Sequence, residues 1–467
     1  MDFRKIKVGF TVLAAQHVLN WEGSIIDPGT ALNCTNTANE LVKILEKQGL
    51  KVIKYSEDSS RNIIDSIYNA IKSTDKFIAE DVDCVIYFVG SWVNANSYIQ
   101  SARLMKRPIV IWVPGENALA SGLTLKGSFS EVGDIDFEFF YSYISNGAAI
   151  KKLLSFIKAS HTKRRLEKSI FGRFGGVSLG ITSSEVSQNE LIKFFGISVE
   201  DFDPLTIVTE AEKFSEDEVK EVYYDISKRI QVVAKLDEIF ERSIRLYLAL
   251  KKIIDKNFID FCSVKCVNDL SNNYVGACLA QNLLLNEGFV STCNSDTKGA
   301  VTMYILSLLT NKESIYYRPD IMRIDFCNNT ISLRSDGIGN FCMSESTKDI
   351  CLDYQSRFES HMGGICLNNA IFKPSLVNLV MISKIKDNYY LHLSEGETFY
   401  PKDTDYIVQD QWDQFPPKLP WAYVKIKGDI DKFLQNSYSG FTCLVTSNIK
   451  DELIYLANLL KIKTNLD

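Results

Sequence analysis

Unbroken apolar runs alternate with amphipathic stretches through the first third of this chain. Lys7 to Ala14, Leu50 to Tyr55, Asp83 to Val89 and Pro108 to Val113 read as strands. The last two are apolar almost throughout, as strands covered on both faces are. Thr37 to Gln48, Ile63 to Ile71 and Asn96 to Met105 carry apolar residues at helical spacing. Strand and helix in alternation predict a parallel sheet with helices on both sides. A basic polar stretch, Lys158 to Lys168, closes this first unit.

The rhythm then restarts. Gly175 to Ile181 reads as a strand, and Ser187 to Phe195 as a helix stopped by Gly196, a residue suited to the left-handed turn after a helix. Glu210 to Lys256 reads as long helical structure, Asp260 to Cys266 as a buried strand, and Cys278 to Leu285 and Gly299 to Leu309 as helices. From about Tyr316 the stretches shorten and alternate: Ile331-Ser332-Leu333, Ser375 to Ile382, Tyr389 to Leu393 and Ala422 to Ile426. Asp387-Asn388 and Glu395-Gly396 read as turns between them, and Lys450 to Leu460 as a closing amphipathic helix. The expected fold class is α/β. Two Rossmann-like parallel-sheet domains, 1–170 and 171–325, precede a smaller β-rich domain, 326–467, built as an antiparallel sheet or barrel.

Composition narrows the function classes. A chain of 467 residues exceeds what one core sustains. Its net charge of −6 argues against nucleic acid or an anionic membrane as partner. No run approaches the ~20 apolar residues of a membrane helix, and no signal peptide is read at the start, so the expected location is the cytoplasm. Eleven cysteines without paired spacing read as reduced core thiols. Cys262 and Cys266 lack the second pair that a zinc site needs. The four histidines, His17, His161, His361 and His392, are widely separated and show no local ligand spacing.

The most informative stretch is Thr292-Cys293-Asn294-Ser295-Asp296-Thr297-Lys298-Gly299-Ala300, which follows Asn286-Glu287-Gly288 and opens an apolar helix. It resembles the metal-binding segment of the L-fucose/L-arabinose isomerase superfamily, with Asn294 where that family has a Glu. Gly9 to His17 is similar to the arabinose-isomerase opening. Asp83 to Trp92 resembles the third strand of the first domain, and Phe372 to Leu379 the entry strand of the last. Gly428-Asp429, Phe433-Leu434 and the final helix match the family's ending.

The resemblance implies aldose–ketose isomerisation through an enediol. A carboxylate moves the proton, and a divalent ion, often Mn2+, polarises the substrate oxygens. It also implies a sugar or polyol ligand and an oligomer, whether a trimer or hexamer of this chain or an assembly with an intact paralogue. Carried over residue by residue, the second carboxylate is Asp320, in Tyr317-Arg318-Pro319-Asp320-Ile321. A family His falls within Ser335-Asp336-Gly337, and the C-terminal metal His falls within Ser439-Gly440-Phe441-Thr442-Cys443. The implied catalytic residues are Asp320 and Asn294, with Gln16, His17 and Trp92 lining the substrate pocket.

An Asn has no basic form near neutral pH, so the standard Mn2+ chemistry is expected to be impaired. A rebuilt metal site would use Asp320, Asp296 and Asp336, with Asp325 available beside them. Alternatively Asp296 caps the following helix, and Asp325 and Asp336 are turn residues. Three readings stay open: an isomerase-family protein with impaired chemistry, an active divergent ketol isomerase using Asp320 and a neighbouring Asp, and a non-catalytic partner subunit or sugar-binding protein. Gly172-Arg173-Phe174-Gly175-Gly176 precedes a strand instead of opening a helix, which excludes a phosphate cradle.

Overall fold

The computed structural model describes residues 6–14, 29–56, 62–177, 179–355, 363–402, 405 and 419–466. Two compact units emerge, one comprising Met1–Arg164 and Asp451–Leu459, the other Arg165–Lys450 and Leu460–Asp467.

Among the described residues the first unit holds six strands: β1 Lys7–Leu13, β2 Lys51–Lys54, β3 Ile63–Ile64, β4 Cys84–Val89, β5 Ile109–Val113 and β6 Phe137–Tyr141. They run parallel in the order β2-β1-β4-β5-β6, with β3 also on β1. β4 and β5 are buried at every position, which is why their sequence lacks alternation. Helices α1 Gly29–Lys47, α2 Ile67–Ala79, α3 Asn96–Met105, α4 Leu119–Val132 and α5 Gly147–Leu166 connect or follow the strands. Phe77, Tyr87, Ile111, Val113 and Phe129 lie at the centre of the core. The expected helix at Ile63–Ile71 is a two-residue strand followed by α2, whose cap, Ser66, accepts a hydrogen bond from the Asn69 amide. Most of the basic stretch Lys158 to Lys168 is the last part of α5, and the boundary between the units falls within it, after Arg164.

The second unit begins with a four-stranded parallel sheet ordered β11-β10-β7-β8, from β7 Ile170–Phe174, β8 Ser198–Phe202, β10 Phe261–Val264 and β11 Ser291–Cys293. β7 lies ahead of the expected strand at Gly175 to Ile181. Gly172 and Arg173 interrupt its apolar pattern, and Arg173 pairs with Asp201 of β8 at 2.6 Å. The expected long helix between Glu210 and Lys256 is divided: Pro204–Ala211, Glu216–Arg229 and Glu238–Lys256 are separate, with a short strand, β9 Gln231–Val232, before the last. Ser215 and Glu218 form a reciprocal cap that starts the middle helix afresh. We label the last of the three α6, and Cys278–Asn286 and Thr297–Leu309 α7 and α8.

The β-rich part is an antiparallel sheet ordered β12-β20-β17-β18-β19-β14-β13. Its strands are β12 Tyr316–Tyr317, β13 Asp320–Asp325, β14 Thr330–Arg334, β17 Ser375–Ile385, β18 Asn388–Thr398, β19 Trp421–Ile426 and β20 Cys443–Val445. β21, Lys463–Leu466, joins β18 in parallel. β15 Cys351–Tyr354 and β16 Ile365–Asn368 form a small sheet with β9. Glu395-Gly396 is not a turn but lies inside β18, where Gly396 faces Val377. A Cβ on Gly396 would come within 2.7 Å of Val424 Cγ1, so only glycine fits between these strands. The sheet curls until its ends meet. Asp320 bridges to Phe441, the Ile321 amide donates to Gly440 O at 2.8 Å, and the Thr442 amide donates to Pro319 O at 3.2 Å.

One core unites the parallel and antiparallel sheets of this unit, running from Phe174 and Val264 through Leu333 and Leu379 to Leu444. Residues 171–325 and 326–450 thus share a hydrophobic interior. No helix among the described residues is long and apolar enough to cross a membrane.

Candidate active site

The stretch that stood out in the sequence joins β11 to α8, inside the second unit. Asn294 and Ser295 both adopt the left-handed conformation, with φ of 59° and 52°, a region Asn tolerates better than most residues. The two residues turn the chain sharply, and the Ser295 amide donates to Val264 O. Asp296 then caps α8 by accepting from the Gly299 amide at 2.9 Å. α8 is buried around nearly its whole circumference, which explains a sequence apolar on every face. Three hollows touch this turn. Cys293 and Asn294 line the first, Ser295 and Thr297 the second, and Asp296, Lys298 and Gly299 the third.

The first hollow gathers Asn294, Arg318, Asp320, Ser335 and Asp336, together with Cys293, Tyr317 and Met303. Its volume is about 20 Å³, room for roughly one water molecule. Tyr317 is fixed by two bonds: its hydroxyl donates to Pro420 O at 2.5 Å and accepts from the Ser335 amide at 2.9 Å. Ser335 Oγ donates to Ile338 O at 2.5 Å. From α7, Asn282 donates to Gly337 O and accepts from the Gly339 amide, both at 2.8 Å. Gln281 donates to Thr292 O at 2.6 Å. One helix thereby fixes both walls.

Arg318 is the residue that sequence reading passed over. Its side chain is 8% exposed, and its Nε donates to Asp296 Oδ2 at 2.6 Å. The guanidinium carbon lies 3.8 Å from the centre of the Phe441 ring. Burial opposes its charge, but Asp296, Cys293 and Asp320 raise its pKa and keep it cationic. Nη2 is buried with no hydrogen-bond partner among the described residues. A single Arg before a Pro-Asp pair and after two Tyr was the available signal. Cys266 and Cys293 also meet, and their mutual hydrogen bond holds the Cys266 thiol below and the Cys293 thiol well above the usual range.

The remaining candidates disperse. Asp296 is committed to Arg318 and to the helix cap. Asp325 is a turn residue, accepting from the amides of Cys327 and Asn328 at 3.0 and 3.2 Å. Trp92, in the first unit, is 45% exposed beyond β4. Gln16, His17 and His361 lie outside the described residues. His161 pairs with Asp83, and His392 is buried against Phe433.

The divalent ion implied by the resemblance does not fit the donor set of the described residues. Among the described residues no group of three His, Cys, Asp or Glu side chains could hold a metal ion. Asp320, Asp296 and Asp336 do not make such a trio, and the guanidinium of Arg318 already neutralises Asp296.

The second hollow is a cleft of about 530 Å³ at the C-terminal ends of β7 and β8, lined by Arg173, Gly175, Gly176, Glu185, Asp201, Asp203, Ser295 and Thr297. β7 has β8 on one side and β10 on the other, so this is where strand order reverses and open α/β sheets take ligands.

No family model matches the chain. It is similar to proteins named sulfoquinovose isomerase. That of Priestia megaterium is 20% identical over 86% of this chain and 90% of its own length. Those of Clostridium sp. and Alkalicoccus urumqiensis are 23% and 22% identical over 52% and 57% of this chain, and 56% and 62% of theirs. Among solved structures, a periplasmic solute binding protein of an ABC transporter from Actinobacillus succinogenes 130z with bound D-allose aligns with 66% of this chain and 93% of its own. It is 12% identical with a TM-score of 0.17, too low to carry an argument. The chain is thus distantly similar to sulfoquinovose isomerases, over nearly its full length in the case of Priestia megaterium.

Proposed function

We propose that this protein is a divergent sugar isomerase that interconverts an aldose and a ketose at the Asp320 cavity. The observation that carries this reading is the convergence of Asp320, Arg318, Asn294 and Asp336 on one hollow beside the β11–α8 turn. The nearly full-length relationship to sulfoquinovose isomerases supports a sugar as substrate.

Asp320 is the proton carrier. Its carboxylate takes the proton from the carbon next to the carbonyl, and the freed electron pair makes the enediol double bond. The proton returns to the neighbouring carbon while the hydroxyl proton moves between the two oxygens. Asn294 orients an oxygen by hydrogen bonding. A hollow of about 20 Å³ takes one substrate oxygen at a time, so the Asn294–Ser295 turn must move to admit the reacting carbons.

The test is incubation in D2O with sulfoquinovose and with neutral pentoses, hexoses and deoxyhexoses, followed by NMR. Aldose–ketose interconversion is expected, with solvent deuterium entering carbon 1 of the ketose and carbon 2 of the re-formed aldose. No interconversion of any sugar, with or without Mn2+, would sink the proposal.

The small volume of the hollow favours a second reading, a sugar-binding or partner subunit without turnover. Calorimetric binding of a sugar that is never converted would select it.

A further inference from the structure

The positions that the resemblance assigns to metal ligands are occupied here by Asn294, Asp320 and the Phe441-Thr442 pair. The curl of the sheet brings two of these together, since Asp320 bridges directly to Phe441. A cation lies beside this junction. Arg318 lines the same hollow as Asn294 and Asp320, lays its guanidinium on the Phe441 ring at 3.8 Å, and is anchored through Nε to Asp296. A cation over an aromatic face is favourable, whereas an imidazole at residue 441 would crowd the same space with a second donor. The aromatic residue and the arginine therefore fit one another as a pair.

We infer that the Arg318 guanidinium takes the electrostatic role of the divalent ion, making this a metal-independent site for a neutral carbonyl or hydroxyl oxygen of an open-chain sugar. The inference rests on the isomerase reading above. Three observations support it. The anchor leaves donor capacity over: Nη2 is buried without a partner among the described residues, a costly state that an oxygen acceptor relieves. The hollow, at about 20 Å³, matches one oxygen atom. The lining sets Asp320 and Asp336 beside the Arg318 guanidinium, a balance that does not favour an added anion. A neutral oxygen leaves that balance unchanged. As charge develops on it during enediol formation, the preorganised guanidinium stabilises the change.

Asp296 takes part as a positioning residue. It holds the guanidinium in place while capping α8. Gly299 completes the arrangement, because a Cβ there would collide with Asp296 Oδ2 and lie 2.9 Å from Arg318 Nε.

The experiment is titration calorimetry of the full chain with D-glucitol, a neutral open-chain polyol, after exhaustive EDTA dialysis and again with Mn2+ added. The variants are Arg318→Lys and the charge-balanced double variant R318Q/D296N, each checked by circular dichroism. The double variant avoids stranding a buried carboxylate, so it tests binding rather than folding. Wild type should bind equally in EDTA and in Mn2+. Both variants should bind at least tenfold more weakly, with no rescue by Mn2+. Binding that appears only with Mn2+, or equal binding by wild type and the folded double variant, overturns the role of Arg318 and leaves the isomerase reading standing. A difference map showing only water beside Nη2 in crystals soaked with D-glucitol also overturns it. No binding in any condition, together with no sugar interconversion, removes both.

Discussion

At the scale of single residues, Asp296 carries the most consequence for stability. One oxygen caps α8 and the other pairs with a guanidinium that is 8% exposed. Asp296→Ala leaves that cation uncompensated, at about 3–5 kcal/mol, and removes a cap worth about 1 kcal/mol. Asp296→Asn keeps one oxygen, enough for the cap, but loses the charge that faces the guanidinium, so it should cost less than Ala only by about the 1 kcal/mol of the cap. Urea denaturation of the two variants checks the difference, and equal losses would show that the cap contributes nothing. Asp320 is the complementary case. Asp320→Asn alters little packing at a half-buried strand end but removes the proposed base, so turnover should fall roughly 10²–10⁴-fold with stability nearly unchanged. Deuterium exchange at substrate carbon 2 reads this directly, and its persistence would reassign the base. The segments forming the Asp320 hollow were legible in the sequence because their residue types are unusual: an Asn-Ser-Asp turn before an apolar helix, and an acid after Pro319. Arg318 was not, since its meaning comes from Asp296 and Phe441, 22 and 123 positions away along the chain.

Among elements, α7 organises the site without touching its chemistry. Asn282 holds Gly337 O and the Gly339 amide, and Asn286 accepts from the Phe341 amide at 2.9 Å. Asn282→Ala strands two buried backbone groups, each worth about 1–3 kcal/mol, so the expected destabilisation is roughly 2–6 kcal/mol. The Gly339 amide should also exchange with solvent much faster, and unchanged exchange would refute the clamp. Element type was readable wherever burial was symmetric. β4 and β5 are apolar throughout because both faces are covered. β6 escaped notice because it is mostly half-buried. β7 was misplaced because a strand carrying an exposed ion pair at Arg173 loses the pattern that marks its neighbours. The break between the helices at Ser215 was hidden because both flanks are good helix formers, and only the Ser215–Glu218 cap separates them.

For the molecule as a whole, the candidate site belongs to the second unit, where one core runs through the parallel and the large antiparallel sheet. The first unit has a core of its own. Ligand binding stabilises whatever folds around the ligand by RT ln(1 + [L]/Kd), which is about 2.7 kcal/mol at a hundredfold excess over Kd. If the Arg318–Asp320 hollow binds the sugar, that gain appears in the second unit. Hydrogen exchange with saturating ligand should then slow in α7, β11, α8 and β13, because all four line the hollow. Exchange in β4 and β5 should stay as in the free protein. Protection confined to the turn at 293–297 would point to a surface contact in the 530 Å³ cleft instead of the buried hollow. Protection of β4 as strong as that of β11 would show that the first unit contributes to binding, as the resemblance implied for Gln16, His17 and Trp92.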